Sequence, residues 1–309
     1  MSKIGIIGLG HVGRLLAHQL LVTGMGDELV LIDRDDQLAL AVQTDLRDAA
    51  VDLAGHPKII IQDYAALRDA QVIVVAVGKS SLIADQPMAE LVFNHDAIKQ
   101  VAAQVKASGF TGVVLNLSNP NEAVTAYIQQ QLLLPPKQVL GIGTVLETAR
   151  LHQAIAAAAK LAPASVSGFV YGQHDGQQVF AWSTVRVNGQ PLDQTINGHH
   201  LDHQQLKINA DLDNWYTLQG LGYNASAACT WAARIVRAIL TDEQLALPVA
   251  IFQPQYEGYV SFPALIVRQG IGNLLLLNLY PVEQAGIKTA AATIGQQVAA
   301  LQRMDEEND

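Results

Sequence analysis

Hydrophobic residues arrive in short blocks over the first 142 positions. Ile4–Ile7, Leu29–Ile32, Ile59–Ile61, Val72–Val77, Gly112–Asn116 and Gln138–Gly141 are apolar runs too short for helices. Each predicts a strand buried on both faces. Between most of them the apolar positions recur at helical spacing, as over His11–Val22 and Ile98–Ala107. Strands alternating with helices predict a parallel sheet covered on both sides, a doubly wound α/β (Rossmann) fold. Ligands of such sheets bind beyond the carboxyl ends of the strands. Here those ends carry Gly8, Asp33, Gly78 and Asn119 on one edge.

The pattern changes near Gly143. Glu147–Leu161 reads as an Ala-rich helix, followed by short alternating strands at Ser167–Tyr171, Val179–Trp182 and Thr184–Val187 with a turn at Asn188-Gly189. Helices are expected around Gln204–Leu218 and Ala225–Leu240, strands at Tyr259–Val267 and Asn273–Leu279, and a last helix from Val282 to about Leu301. The chain thus divides into a nucleotide-binding domain over 1–142 and an α+β substrate domain over 143–309.

The turn after the first strand carries the first chemistry. It reads Gly8-Leu-Gly10-His-Val-Gly13 and opens directly into a helix. Gly8 makes the tight turn, Gly10 admits a pyrophosphate to the backbone, and Gly13 lets helix and sheet pack closely. The helix N-terminus offers free amides and partial positive charge to phosphates. The second strand ends in Asp33, where a carboxylate accepts from ribose hydroxyls and repels a 2′-phosphate. The expected cofactor is NAD rather than NADP, a preference that Arg34 next door weakens slightly.

The chain has 309 residues, of which 50% are hydrophobic, enough for a large core split between two domains. A single cysteine, Cys229, excludes an intrachain disulfide and reads as a small buried residue. No apolar run has the length of a membrane span, and the first strand begins too early to leave room for a signal peptide. A cytoplasmic protein is expected. The net charge of −9, with scattered lysines and arginines, argues against nucleic-acid and membrane partners. The acidic tail Met304–Asp309 reads as a solvated end. His199, His200 and His203 beside Asp202 could hold zinc, but nothing downstream completes a site, so a solvated segment and no metal are expected.

Four further stretches complete the picture: Leu117-Ser-Asn-Pro-Asn121, Gly143-Thr-Val-Leu-Glu-Thr-Ala-Arg-Leu151, Gly172-Gln-His-Asp-Gly176 and Ala181-Trp-Ser-Thr-Val-Arg-Val-Asn-Gly-Gln190. With the glycine turn they resemble the lactate/malate dehydrogenase superfamily over nearly the whole chain, and most of all its bacterial L-2-hydroxyisocaproate dehydrogenases. The resemblance implies an NAD-dependent L-2-hydroxyacid dehydrogenase acting on a small aliphatic 2-hydroxy or 2-oxo acid of the lactate or hydroxyisocaproate type. It also implies a homo-oligomer, dimer or tetramer.

The same resemblance assigns roles. His174 is the general acid/base, a task suited to a group that titrates near neutrality. Arg150 grips the substrate carboxylate with its planar fork, the alternative being a salt bridge to Glu147 one helical turn back. Asn119 orients substrate and nicotinamide, or is an ordinary Asn-Pro turn. Gly78 lies against the cofactor. Asn224 lines the substrate pocket where the family has threonine, or is a helix N-cap.

Two positions depart from the family. Glu147 stands where the family has an aspartate paired with the histidine. The segment after Gly78 lacks the family's carbonyl-polarising arginine, and Pro87 falls in its place. Lys79 is the nearest cation. Leu82, Ile83 and Met88 make that segment apolar, which favours an aliphatic substrate over a second carboxylate. The departures support a second reading, an NAD-binding homologue with little turnover acting as a redox sensor or interaction protein.

Overall fold

The computed structural model describes residues 2–53, 55–79, 87–193 and 200–308. Its first half alternates β1 (Lys3–Ile7), α1 (His11–Val22), β2 (Glu28–Ile32), α2 (Asp36–Ala49), β3 (Lys58–Ile61), β4 (Val72–Val75), α3 (Pro87–Ser108), β5 (Val113–Asn116), α4 (Asn121–Leu132) and β6 (Val139–Gly141). These six strands are parallel and lie in the order β3-β2-β1-β4-β5-β6. The reversal of strand order between β1 and β4 opens the crevice where ligands of doubly wound sheets bind. Ile4, Ile6, Val30, Val74 and Leu115 are fully buried between the helical layers.

The second half comprises α5 (Val145–Ala159), β7 (Val166–Ser167), β8 (Val170–Gly172), β9 (Gln178–Phe180), β10 (Arg186–Val187), β11 (Gln190–Pro191), α6 (His203–Leu221), α7 (Ala225–Thr241), β12 (Leu245–Gln253), β13 (Gly258–Val267), β14 (Gly270–Leu274) and α8 (Pro281–Asn308). It continues the sheet of the first half. Gly141 of β6 pairs with Ala250 of β12, β12 pairs along its length with β13, and β13 leads on to β8 and β9.

Several details depart from the sequence expectations. The expected strand at Ser167–Tyr171 is broken at Gly168, whose φ of +119° ends one ladder before β8 begins another. Trp182 sits in a 3₁₀ turn rather than a strand and stacks between Phe180 and His203. Strand β12 has no counterpart in the sequence reading, because its apolar run contains Pro248. The proline is tolerated because its backbone edge turns away from β13, its carbonyl accepting from Thr144, while the carbonyl of the facing Pro263 accepts from Leu275, so this pair exchanges no ladder hydrogen bonds. β14 ends at Leu274, short of the expected Leu279.

The acidic tail forms the end of α8, where Glu306 and Glu307 are exposed and Asp305 is anchored. Asp305 of α8 accepts from Tyr127, Gln131 and His95 and pairs with Lys99, and so ties the last helix to α3 and α4. His203 stacks on Trp182 with ring centroids 4.5 Å apart and approaches Asp193, while His199 lies outside the described residues. Cys229 is buried between α7 and α1, its thiol donates to the carbonyl of Val12, and burial pushes its pKa up to about 12.

Candidate active site

The glycine turn has the geometry that a dinucleotide requires. Gly8 adopts φ +94°, and its N–H donates to the carbonyl of Ile32. A Cβ at Gly13 would overlap the carbonyl oxygen of Gly8. At Gly10 a Cβ would meet nothing within 4 Å, so the backbone there faces open space. Asp33 accepts from the N–H of Leu9 at 2.6 Å and from that of Asp35 at 3.0 Å. It braces the turn while retaining lone pairs for a ribose hydroxyl. Arg34 lies over the ring of Phe93. These residues fit an adenine dinucleotide.

A cavity of about 180 Å³ extends from this turn across the strand ends. Gly10, Gly78 and Lys79 line one end, and Asn119, His174, Asp175 and Asn224 the other. The Asn119-Pro120 peptide is cis. A buried lattice shapes this corner: Asn116 accepts from the N–H of Ser118, Asn121 donates to the carbonyl of Asn116, and Asn121 accepts from the N–H of Gly143. The side-chain oxygens of Asn119 and Ser118 are buried without a protein partner. Such orphan atoms fit the carboxamide of a nicotinamide.

His174 follows β8 in a turn closed by the Gln173 N–H on the carbonyl of Gln177. Its side chain is only 8% exposed. Nδ1 approaches Glu147 Oε1 to 2.8 Å, yet Nδ1 has no well-aligned hydrogen bond. The oxygen is close but off the N–H axis, so the contact is chiefly electrostatic. The side chain of glutamate is one methylene longer than that of the aspartate expected here, which alters its reach to the ring. The same oxygen takes the N–H of Asp175 at 3.3 Å and lies 3.9 Å from Arg150 Nη1. Burial disfavours the imidazolium, but the charges of Asp175, Glu147 and Glu122 outweigh it and push the pKa of His174 up to about 10. Burial likewise opposes ionisation of Glu147, and the His174 charge with that of Arg150 holds it down as a carboxylate.

Arg150 lines an adjoining hollow with Glu147, Gln178, Asp211 and Asn214, rather than the cavity that holds Asn119 and Asn224. Asn224 occupies the N-cap position of α7 but does not cap with its side chain. That side chain donates to Asn214. Pro87 is the first residue of α3, where the missing N–H of proline costs nothing. Leu82 and Ile83 lie outside the described residues.

Several groups escaped the sequence reading. Glu122 is fully buried, accepts from the backbone N–H of His174 at 2.9 Å and from the Ser261 hydroxyl at 2.5 Å, and burial pushes its pKa up to about 7. Its signal was present: it is the only charged residue of α4 and follows the Asn-Pro pair by two positions. Glu90 faces the cavity from α3, with its pKa also pushed to about 7 by burial and by Asp175. His11 stacks on Tyr223 with centroids 4.1 Å apart, which closes α1 against the start of α7.

A nucleotide crevice at a topological switch point, beside a buried histidine–carboxylate pair, defines a dinucleotide-dependent enzyme. Comparison with known proteins gives the family. The model for the lactate/malate dehydrogenase NAD-binding domain matches residues 2–141, and that for the lactate/malate dehydrogenase α/β C-terminal domain matches residues 144–211. The chain is 32% identical to L-lactate dehydrogenase 1 of Bifidobacterium longum subsp. longum, over 97% of its own length and 98% of that protein's. It is 29% identical to the L-lactate dehydrogenase of Thermus aquaticus, over 97% and 99%. The crystal structure of the minor L-lactate dehydrogenase from Enterococcus mundtii superposes with a TM-score of 0.90 at 27% identity, covering 97% of this chain and 98% of that one. The chain belongs to the lactate/malate dehydrogenase family. With that membership come NAD as cofactor and oxidoreduction of 2-hydroxy acids at the CH–OH group. No helix among the described residues is long and apolar enough to cross a membrane.

Proposed function

We propose that this site interconverts a small aliphatic 2-oxo acid and its L-2-hydroxy acid, of the lactate or hydroxyisocaproate type. The observation that carries the reading is a single cavity reaching from Gly10 to His174, with the Glu147 carboxylate behind the ring. Bound NAD would exchange the hydride. Gly8, Gly10 and Gly13 would hold its pyrophosphate, Asp33 its ribose, and Gly78 and Asn119 its nicotinamide end. His174 delivers a proton to the carbonyl oxygen in reduction and removes it in oxidation. Glu147 stabilises the imidazolium. Arg150 takes the substrate carboxylate from the adjoining hollow, and Asn224 borders the side-chain space. The functional division of the chain falls between 142 and 143.

The likeness of Gly172–Gly176 and Ala181–Gln190 to the hydroxyisocaproate enzymes supports a branched side chain. NADH oxidation with pyruvate, 2-oxoisocaproate and oxaloacetate tests the reading. Turnover is expected on one or both monocarboxylates and little on oxaloacetate. Arg150→Lys should raise KM strongly without weakening NADH, because the charge remains while the fork is lost. Tight NADH binding with no turnover on any 2-oxo acid overturns the proposal in favour of a cofactor-sensing homologue.

A further inference from the structure

His174 has a carboxylate at each ring nitrogen. Glu147 takes the Nδ1 side, and Asp175 Oδ2 stands 3.3 Å from Nε2. Nε2 carries one N–H, and in the reaction above it is the nitrogen left to face substrate. Asp175 is fixed there from several sides. Its backbone is left-handed at φ +49°, and its N–H donates to Glu147. Its Oδ1 accepts from Asn214 Nδ2 at 3.3 Å, and Asn214 Oδ1 accepts from Asn224 Nδ2 at 3.2 Å. This bridge follows the seam between two spaces. Asp175 and Asn224 line the cofactor cavity, and Asn214 lines the hollow that holds Arg150.

Resting on the dehydrogenase reading, we propose that Asp175 is a positioning residue for the working proton. Its carboxylate holds Nε2–H in the free enzyme, keeps the ring protonated, and gives up that N–H to the carbonyl oxygen of an arriving 2-oxo acid. A single N–H cannot serve both acceptors well, so substrate binding and the Asp175 contact exclude each other.

The consequence is a shift in the pH range over which each direction runs. In reduction the carbonyl carbon gains a hydride from NADH, the C–O π bond breaks, and the oxygen takes the Nε2 proton. The 2-oxo acid is reduced, NADH is oxidised, and His174 is left neutral. Oxidation must begin from neutral His174, the state that Asp175 opposes. The other charged groups near the ring are Glu147 and Arg150 from α5, Glu122 from α4, Glu90 from α3, and Lys79 at the cavity wall. Among the described residues, only Asp175 meets the ring at Nε2.

The test is Asp175→Asn, which keeps the shape and suits a left-handed backbone. The first readout is the titration of His174 by ¹⁵N NMR in the protein without cofactor. Loss of a carboxylate at this distance should lower the midpoint by about one to three pH units. The second is the pH profile of L-lactate and L-2-hydroxyisocaproate oxidation, whose rising limb should move down by the same amount. Reduction should lose its activity at high pH in parallel. Asn214→Ala, which frees Asp175 without removing its charge, should give a smaller shift of the same sign. An unchanged or raised His174 midpoint in Asp175→Asn overturns the inference. A lowered midpoint in a parent protein with no turnover shows that Asp175 holds the imidazolium but overturns the dehydrogenase reading, and with it the role of that proton in turnover.

Discussion

A Cβ placed on Gly13 would stand 1.8 Å from the carbonyl oxygen of Gly8. The two glycines lock helix α1 onto strand β1, whereas Gly10 between them faces open space. Alanine at the two positions should therefore act differently. Gly13→Ala should destabilise the apoprotein by about 3 kcal/mol or more, since backbone rather than a flexible side chain must move. Gly10→Ala should leave the apoprotein melting temperature nearly unchanged and weaken NADH, because the new methyl occupies ligand space. Thermal melts with and without NADH separate the two effects. A Gly10→Ala protein with full NADH affinity would remove the pyrophosphate from that place.

Asp33 binds two backbone amides, those of Leu9 and Asp35. Asp33→Ala should thus weaken NADH about tenfold and also loosen the glycine turn, lowering stability by roughly 1 to 3 kcal/mol. The gap between NADH and NADPH should narrow as repulsion of a 2′-phosphate disappears. Fluorescence titration with both cofactors checks this. Equal losses for NADH and NADPH would show that the bracing of the turn is the whole effect.

Glu122 offers a pH signature. Burial raises its folded pKa to about 7, above the value of an exposed glutamate. A raised carboxyl pKa means that the folded state holds the proton more tightly. Its contribution to stability is complete below the unfolded pKa and is lost as pH rises through about 7. Glu122→Gln keeps the size and loses this dependence. The variant should gain on the parent protein steadily from about pH 5 to about pH 8, measured by chemical denaturation. A constant difference across that range would mean that Glu122 is already ionised throughout.

The two family departures should limit turnover. By the family resemblance Pro87 stands in the place of an arginine that polarises the carbonyl, and losing one such donor costs about 100- to 1,000-fold in rate. Glu147 meets His174 off the N–H axis. We expect a low kcat with chemistry rate-limiting, seen as a full isotope effect with deuterated NADH. Glu147→Asp should raise kcat by up to about tenfold if the shorter carboxylate restores alignment. A high kcat in the parent protein would mean that another cation, with Lys79 the nearest, already serves the carbonyl.

Much of this architecture could be read from the chain. Ile4–Ile7 and Val72–Val75 are strands because short apolar runs rich in β-branched residues suit a two-sided sheet. Strand β12 was not legible, because its Pro248 is harmless only where its backbone edge turns away from β13 toward Thr144, an arrangement fixed by register rather than by local sequence. The helical tail was illegible for a similar reason. Asp305 looks solvated until Tyr127 and His95, far away in sequence, supply donors. At the candidate site, motif and spacing drew attention to His174, Glu147 and Asn119. They missed Glu122 and Asp175, whose roles arise only when α4 and the turn after β8 converge on one imidazole.

The join between β6 and β12 bears on how the protein moves. One sheet runs from β3, at the adenosine side, to β8, two residues before His174. Enzymes that grip substrate by rotating one lobe on another need a flexible joint between lobes. Here hydrogen-bonded strands cross that place, so the spacing from Gly10 to His174 is set when the chain folds and not when ligand arrives. Capture of a substrate then needs no rotation of one half on the other, and the exchange of Asp175 for a carbonyl oxygen at Nε2 is a local rearrangement within reach.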